Sequence, residues 1–168
     1  SPTGTFSGTV FPPTTPDEVE TGASTFDVDS YVAAAEGVFT PITDLVSATT
    51  TSDSQYLWSS FSAGTDAAPK LMYSDRSIKF NGGTAYGILV VDGDVDISSH
   101  DFHGLIIASG EALLAGGGSA AYNLSGAVIA GGDVDFSGSF AAELDLDAIN
   151  NYLQSIRTKV ITFREVRN

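Results

Sequence analysis

Between Lys70 and Phe140 the chain is written in short apolar runs broken by Gly, Asp and Ser, and the pattern repeats. Four stretches align, beginning at Leu71, Ile88, Leu105 and Ala127. The residues just before them, Lys70, Gly87, Gly104 and Gly126, are separated by 17, 17 and 22 positions. The five extra residues of the last interval fall in the run Gly116-Gly117-Gly118-Ser119-Ala120-Ala121, where an insertion is easily absorbed. In the second half of each unit, Ile78, Val95, Ala112 and Val134 form one column, and Phe80, Ile97, Leu114 and Phe136 form another two residues on. Strand side chains alternate faces, so both columns point inward. Outward, on the intervening positions, lie Ser77, Asp94, Glu111 and Asp133, then Lys79, Asp96, Leu113 and Asp135. Gly93, Gly110 and Gly132 stand at the corner between the two halves, where a tight turn calls for positive φ; the first unit has Arg76 there. A strand–corner–strand unit of this length, stacked on its own copies, predicts a mainly β fold: a short parallel β-solenoid of about four rungs with flanking or capping α-helices.

The first half of each unit behaves differently. Ile88 to Val91, Leu105 to Ala108 and Ala127 to Ala130 are apolar at every position, the signature of a strand buried on both faces. Something must cover the outer face. The first candidate is a C-terminal amphipathic helix carrying Leu144, Leu146, Ile149, Tyr152, Leu153 and Ile156, with Asp145 or Asp147 near its start. The second is a helix around Tyr31 to Phe39, capped by Asp29 or Ser30 and ending near Gly37; a partner surface is the rival to both. Ile42, Leu45 and Val46 suggest one more helical stretch after Pro41, while residues 47–69 read mostly as loop from which Tyr56, Leu57, Trp58 and Phe61 reach the core. Residues 1–26 hold four of the six prolines and read as an extended lead-in. The tail Lys159-Val160-Ile161-Thr162-Phe163-Arg164-Glu165-Val166 reads as a strand able to pair with the open edge of the stack. The whole is expected to be a single domain: a lead-in with short helices over 1–69, repeats over 70–140, and a helix with a closing strand over 141–168.

Charge narrows the partners. Seven basic against 21 acidic residues give a net charge of −14 in 168 residues, which disfavours nucleic acid and anionic lipid as ligands. A mean hydropathy of +0.11 is too apolar for an acidic disordered chain. Neither a membrane-length apolar run nor a signal-peptide pattern occurs. Cysteine is absent, which removes disulfides, thiolate catalysis and cysteine zinc sites. Asp outnumbers Glu by 15 to 6. Salt adaptation, calcium binding and plain solubility all account for that surplus.

Candidate chemistry is sparse. His100 and His103 are the only histidines, with Asp101 between them; two imidazoles and a carboxylate would make a partial metal site, but no further ligand is evident. No Gly-x-Ser-x-Gly elbow occurs in a strand–helix context, and Gly116 to Gly118 lack the Lys-Ser/Thr of a phosphate loop. Stacked at about 4.8 Å, Asp94, Glu111 and Asp133 would repel by roughly 0.9 kcal/mol per neighbouring pair in water. Bound cations would offset this, and Asp92-x-Asp94-x-Asp96 resembles part of a calcium loop without its Gly and distal Glu. Four short rungs offer little groove for a polysaccharide, and no Arg or Lys stands among these aspartates. No catalytic, cofactor-binding or metal-ligating residue is therefore assigned, and the chain is read as non-enzymatic.

The run Tyr86-Gly87-Ile88-Leu89-Val90-Val91-Asp92-Gly93-Asp94-Val95-Asp96-Ile97, followed by His103-Gly104-Leu105-Ile106-Ile107 and Ser125-Gly126-Ala127-Val128-Ile129, resembles the β-solenoid domain of PilX-type pilus assembly proteins, minor pilin-like components of type IV pilus systems. The tail Ile161-Thr162-Phe163-Arg164-Glu165-Val166 is similar to their closing strand. The resemblance spans residues 70–168; residues 1–69 carry none of it. It implies export, an N-terminal membrane or filament anchor outside this chain, other pilin-like subunits or pilus assembly components as partners with a surface ligand in addition, and no catalytic residues. The expected role is a structural or adhesive ectodomain at the cell surface. A self-assembling bactofilin-like scaffold and a small calcium-dependent carbohydrate-binding module are the alternatives.

Overall fold

A computed structural model describes residues 27–116, 122–147 and 149–154. The lead-in, the closing strand and residues 117–121 of the insertion lie outside the described residues. Helix α1 (Val28–Ala35) is followed by β1 (Thr40–Pro41), the single turn α2 (Ile42–Leu45), β2 (Thr50–Thr51) and β3 (Gln55–Trp58). Then come β4 (Lys70–Ser74), β5 (Ser77–Phe80), β6 (Gly83–Val91), β7 (Val95–Ser98), β8 (His100–Ala108) and β9 (Ala112–Ala115). The series closes with β10 (Tyr122–Ala130), β11 (Val134–Ser137) and β12 (Phe140–Glu143), after which residues 149–154 are helical.

The strands form two six-stranded sheets, in the orders β1-β4-β6-β8-β10-β12 and β2-β3-β5-β7-β9-β11. From β3 to β12 the chain alternates strictly between them, so each repeat unit contributes one strand to each sheet. Every pairing is parallel except β2 with β3. In the first sheet Leu71 lies beside Ile88, Ile88 beside Leu105, and Leu105 beside Ala127. The second sheet runs Ile78, Val95, Ala112, Val134 in the same way. These are the registers expected from the repeat.

Two apolar layers explain why one arm of each unit lacks polar positions. Met72, Leu89, Val91, Ile106 and Ala108 face the second sheet and pack with Ile78, Phe80, Val95, Ile97 and Leu114. On the outer face, Leu71, Tyr73, Ile88, Val90 and Ile107 pack under Val32 and Ala35 of α1 and under Tyr152. Among the described residues, Val32 and Ala35 of α1 and Tyr152 are buried in this cover, whereas Leu144, Leu146 and Leu153 of the expected C-terminal helix remain exposed and Ile156 lies outside the described residues. Helix α1 is capped two to three residues earlier than Asp29 or Ser30, because the Asp27 carboxylate accepts from the Ser30 N–H (3.3 Å). Asp29 then sits in the first turn, where its charge suits the helix dipole.

Three further expectations need refinement. Residues 47–69 are mostly loop as expected, but they also contain a strand of the second sheet: β3 pairs with β5 and carries Trp58 into the core, its indole donating to the Val46 carbonyl (3.0 Å). Tyr56 and Leu57 are only half-buried, and Phe61 is fully buried. Strand pairing also extends past Phe140, since β12 continues the first sheet beyond the repeats. Finally, of the three corner glycines only Gly93 has positive φ (137°). Gly110 is required by space instead, because a Cβ there would overlap the Asp94 carboxylate and the Gly93 backbone. In three of the four repeats a positive-φ glycine sits elsewhere, at the aligned positions Gly87, Gly104 and Gly126 inside the long strands (φ 134° at Gly104), where the first repeat has Lys70. A Cβ on Gly104 would overlap the Gly87 carbonyl oxygen, and one on Gly126 the Gly104 carbonyl oxygen.

Candidate functional site

The expected acidic ladder is present in register, and its member Asp94 serves a turn. Asp94 Oδ1 accepts the Glu111 N–H from the next repeat (2.9 Å), and the Asp94 N–H donates to Ser77 Oγ (2.9 Å). Ser109 Oγ accepts the Gly93 N–H (2.8 Å) and donates to Asp92 Oδ1 (3.2 Å). Both carboxylates thereby support donors that a sharp corner leaves unpaired. Asp96 pairs with Lys79 of the preceding repeat, so that ladder alternates in sign at its first step. Arg76, the odd corner residue of the first unit, binds outward: its guanidinium donates to the Ser52 carbonyl (2.8 Å), lies over the Tyr56 ring (4.6 Å) and pairs with Asp75. That pairing holds the Asp75 carboxyl below its ordinary range.

The His-Asp-Phe-His segment is split by strand alternation. His100 and Phe102 point inward and are buried, while Asp101 and His103 are half-buried on the other face. The two imidazoles therefore lie on opposite sides of β8 and do not converge on one ion. Among the described residues, no group of three or more His, Asp or Glu side chains is gathered closely enough to hold a metal. His100 Nδ1 bonds the Gly82 carbonyl (2.9 Å), its ring lies 4.8 Å from that of Phe80, and Nε2 is buried with no partner. Burial pushes its pKa below the ordinary imidazole value, which keeps it neutral.

Two surface features remain. On the first sheet, Tyr86, His103, Ser125 and Glu143 stand side by side in register on β6, β8, β10 and β12. The Tyr86 and His103 rings stack at 4.5 Å, and His103, Ser125 and Glu143 line a shallow pocket of about 300 Å³. Ser125 donates its hydroxyl to Asp145 (3.2 Å), so its proton is directed away from the His103 imidazole, the opposite of a nucleophile–base pair. Sequence reasoning missed this row, although the one-repeat spacing of Tyr86 and His103 was a sufficient signal. Beside it lies an apolar cleft of about 380 Å³, walled by Tyr31, Val38 and Phe39 on one side, Leu153 on the other, and floored by Ile88 and Ile107. Tyr152 is buried in the same outer apolar cluster. Its ring lies against Gly104, its hydroxyl reaches Asp66 (3.4 Å), and burial with that carboxylate pushes its pKa up to about 12.

Comparison with family models, curated proteins and solved structures returns no match to this chain.

Proposed function

We propose that the chain is a non-catalytic structural or adhesive ectodomain of a type IV pilus or a related surface filament, built as a short β-solenoid. Four rungs correspond to the aligned units, with β3 and β12 continuing the stack at its two ends. The observation that supports this reading most is the strict alternation of ten consecutive strands between two sheets in parallel register. Such a stack is rigid and offers few loops to proteases. Ser77, Asp92, Asp94 and Ser109 hold the corners between strands, which suits a module whose task is shape. Partners on this reading are pilin-like subunits or assembly components. The test is fractionation of the source cells with an antibody against this domain. Recovery with sheared surface filaments supports the proposal, and confinement to the cytosol overturns it.

A second reading, a self-assembling bactofilin-like scaffold, is favoured by one observation: the stack is closed at the β2 end, but Phe136 on the edge strand β11 is 56% exposed. Negative-stain microscopy of concentrated protein separates the two. Spontaneous filaments favour the scaffold, and discrete particles favour the ectodomain.

A further inference from the structure

The two ends of the second sheet are finished differently. At one end β2 pairs antiparallel with β3, and the rings of Trp58 and Phe61 are fully buried beneath it. At the other end β11 is the last strand among the described residues. The inward columns change abruptly there: Ile78, Val95 and Ala112 are at most 1% exposed and Val134 is 38% exposed, while Phe80, Ile97 and Leu114 are at most 1% exposed and Phe136 is 56% exposed. Phe140 touches the Phe136 ring at 5.7 Å but leaves most of it uncovered. An edge of this kind accepts another strand, provided that its occupant supplies two apolar side chains at i and i+2. The occupant must also tolerate Asp133, Asp135 and Glu143, all exposed at this end.

We propose that the β11 edge is a strand-accepting site and that its occupant is the chain's own segment Lys159 to Val166. Ile161 and Phe163 supply the i, i+2 pair, and Lys159 and Arg164 flank them. Residues 155–168 hold four of the chain's seven basic residues and one of its 21 acidic residues, so the charge complements the edge. The segment 1–26 is a poor competitor: it has no Lys or Arg, three acidic residues, and prolines that cannot donate to a ladder. A second copy's β11 would bring Asp133 and Asp135 against their own counterparts, which is repulsive. Reach is sufficient. From Gln154 to Ile161 an extended chain spans up to about 24 Å, against about 10 Å per sheet layer and about 5 Å per strand.

With Ile161 and Phe163 opposite Val134 and Phe136, Thr162 faces Asp135 whether the added strand runs parallel or antiparallel. The full chain has no cysteine, so the D135C/T162C double variant carries one thiol pair, and oxidation reports their contact. An intrachain disulfide that forms in native buffer, is lost in guanidinium, and is strongly reduced by adding F163D supports the proposal. A control pair at the closed end, S52C/T162C, is expected to stay unlinked. Four outcomes overturn the proposal: no cross-link; one as strong in guanidinium or with F163D; a 135-to-162 bond only between chains, which makes the edge a swapped interface; or a 135-to-135 dimer, which makes a second copy the occupant.

Discussion

Replacing Gly104 with alanine tests the stacked register more directly than any core truncation. Two costs combine at this position. With φ at 134°, the residue lies outside the small left-handed region that L-residues tolerate, a strain of about 1–3 kcal/mol. The added methyl would also overlap the Gly87 carbonyl oxygen and press on the Tyr152 ring, so the neighbouring strand must shift. Each ladder hydrogen bond lost in that shift costs about 1 kcal/mol. Losing one or two of them brings the total to about 2–5 kcal/mol. Gly37 provides the control. Its φ of 77° lies near the tolerated left-handed region, and nothing stands within 4 Å of the place a methyl would take, so G37A costs about 1–2 kcal/mol by strain alone. For a domain of this size 1 kcal/mol shifts Tm by about 2–4 °C. Thermal unfolding followed by circular dichroism should therefore place G104A roughly 4–20 °C below the parent and G37A only about 2–8 °C below. The close approach of consecutive repeats would be refuted if G104A melted at or above G37A.

Other measurements probe separate parts of the molecule. I106A deletes a fully buried side chain between the sheets and is expected to cost about 2–5 kcal/mol in urea unfolding. His100 is held neutral by burial, so its folded pKa lies below the unfolded value of 6.5. The unfolded chain then binds the extra proton, and the stability due to this group is intact above pH 6.5 and declines as pH falls below it. H100F should flatten that decline in denaturant titrations between about pH 5 and 7, and an unchanged slope would remove His100 as its source. Because Asp92 and Asp94 already accept hydrogen bonds at the corners, EDTA or Ca²⁺ at constant ionic strength should leave Tm unchanged. A rise with Ca²⁺ would restore the cation reading of the acidic surplus.

Much of this architecture was legible because a stacked repeat writes the same physical demand many times. Ile78, Val95 and Ala112 occupy the same environment one repeat apart, so each confirms the register of the others. What escaped notice was written only once. Residues 55–58 belong to the same sheet as the repeats but precede the first aligned unit, and their neighbours Ser59 and Ser60 resemble loop. The corner glycines misled for a physical reason. Glycine is needed both for positive φ and for close approach, and sequence cannot say which. Gly110 serves the second need alone, and Gly87 serves both, with positive φ and its Cβ position already taken by the Lys70 carbonyl oxygen.

The chemistry was harder to read, because the same residue types do opposite things on the two faces of one strand. His100 and His103 are three residues apart, which in a helix would bring them together and in a strand sends them to opposite sides. Assigning β structure first would therefore have dissolved the metal reading before any ligand count. The same alternation carries a positive lesson. Positions that repeat every 17 residues on the outer face, such as Tyr86 and His103, become lateral neighbours and can build a continuous row from residues far apart in sequence. On this fold a binding surface is sought down such columns, across strands, and the row ending at Glu143 is the one that mixes aromatic, imidazole, hydroxyl and carboxylate groups.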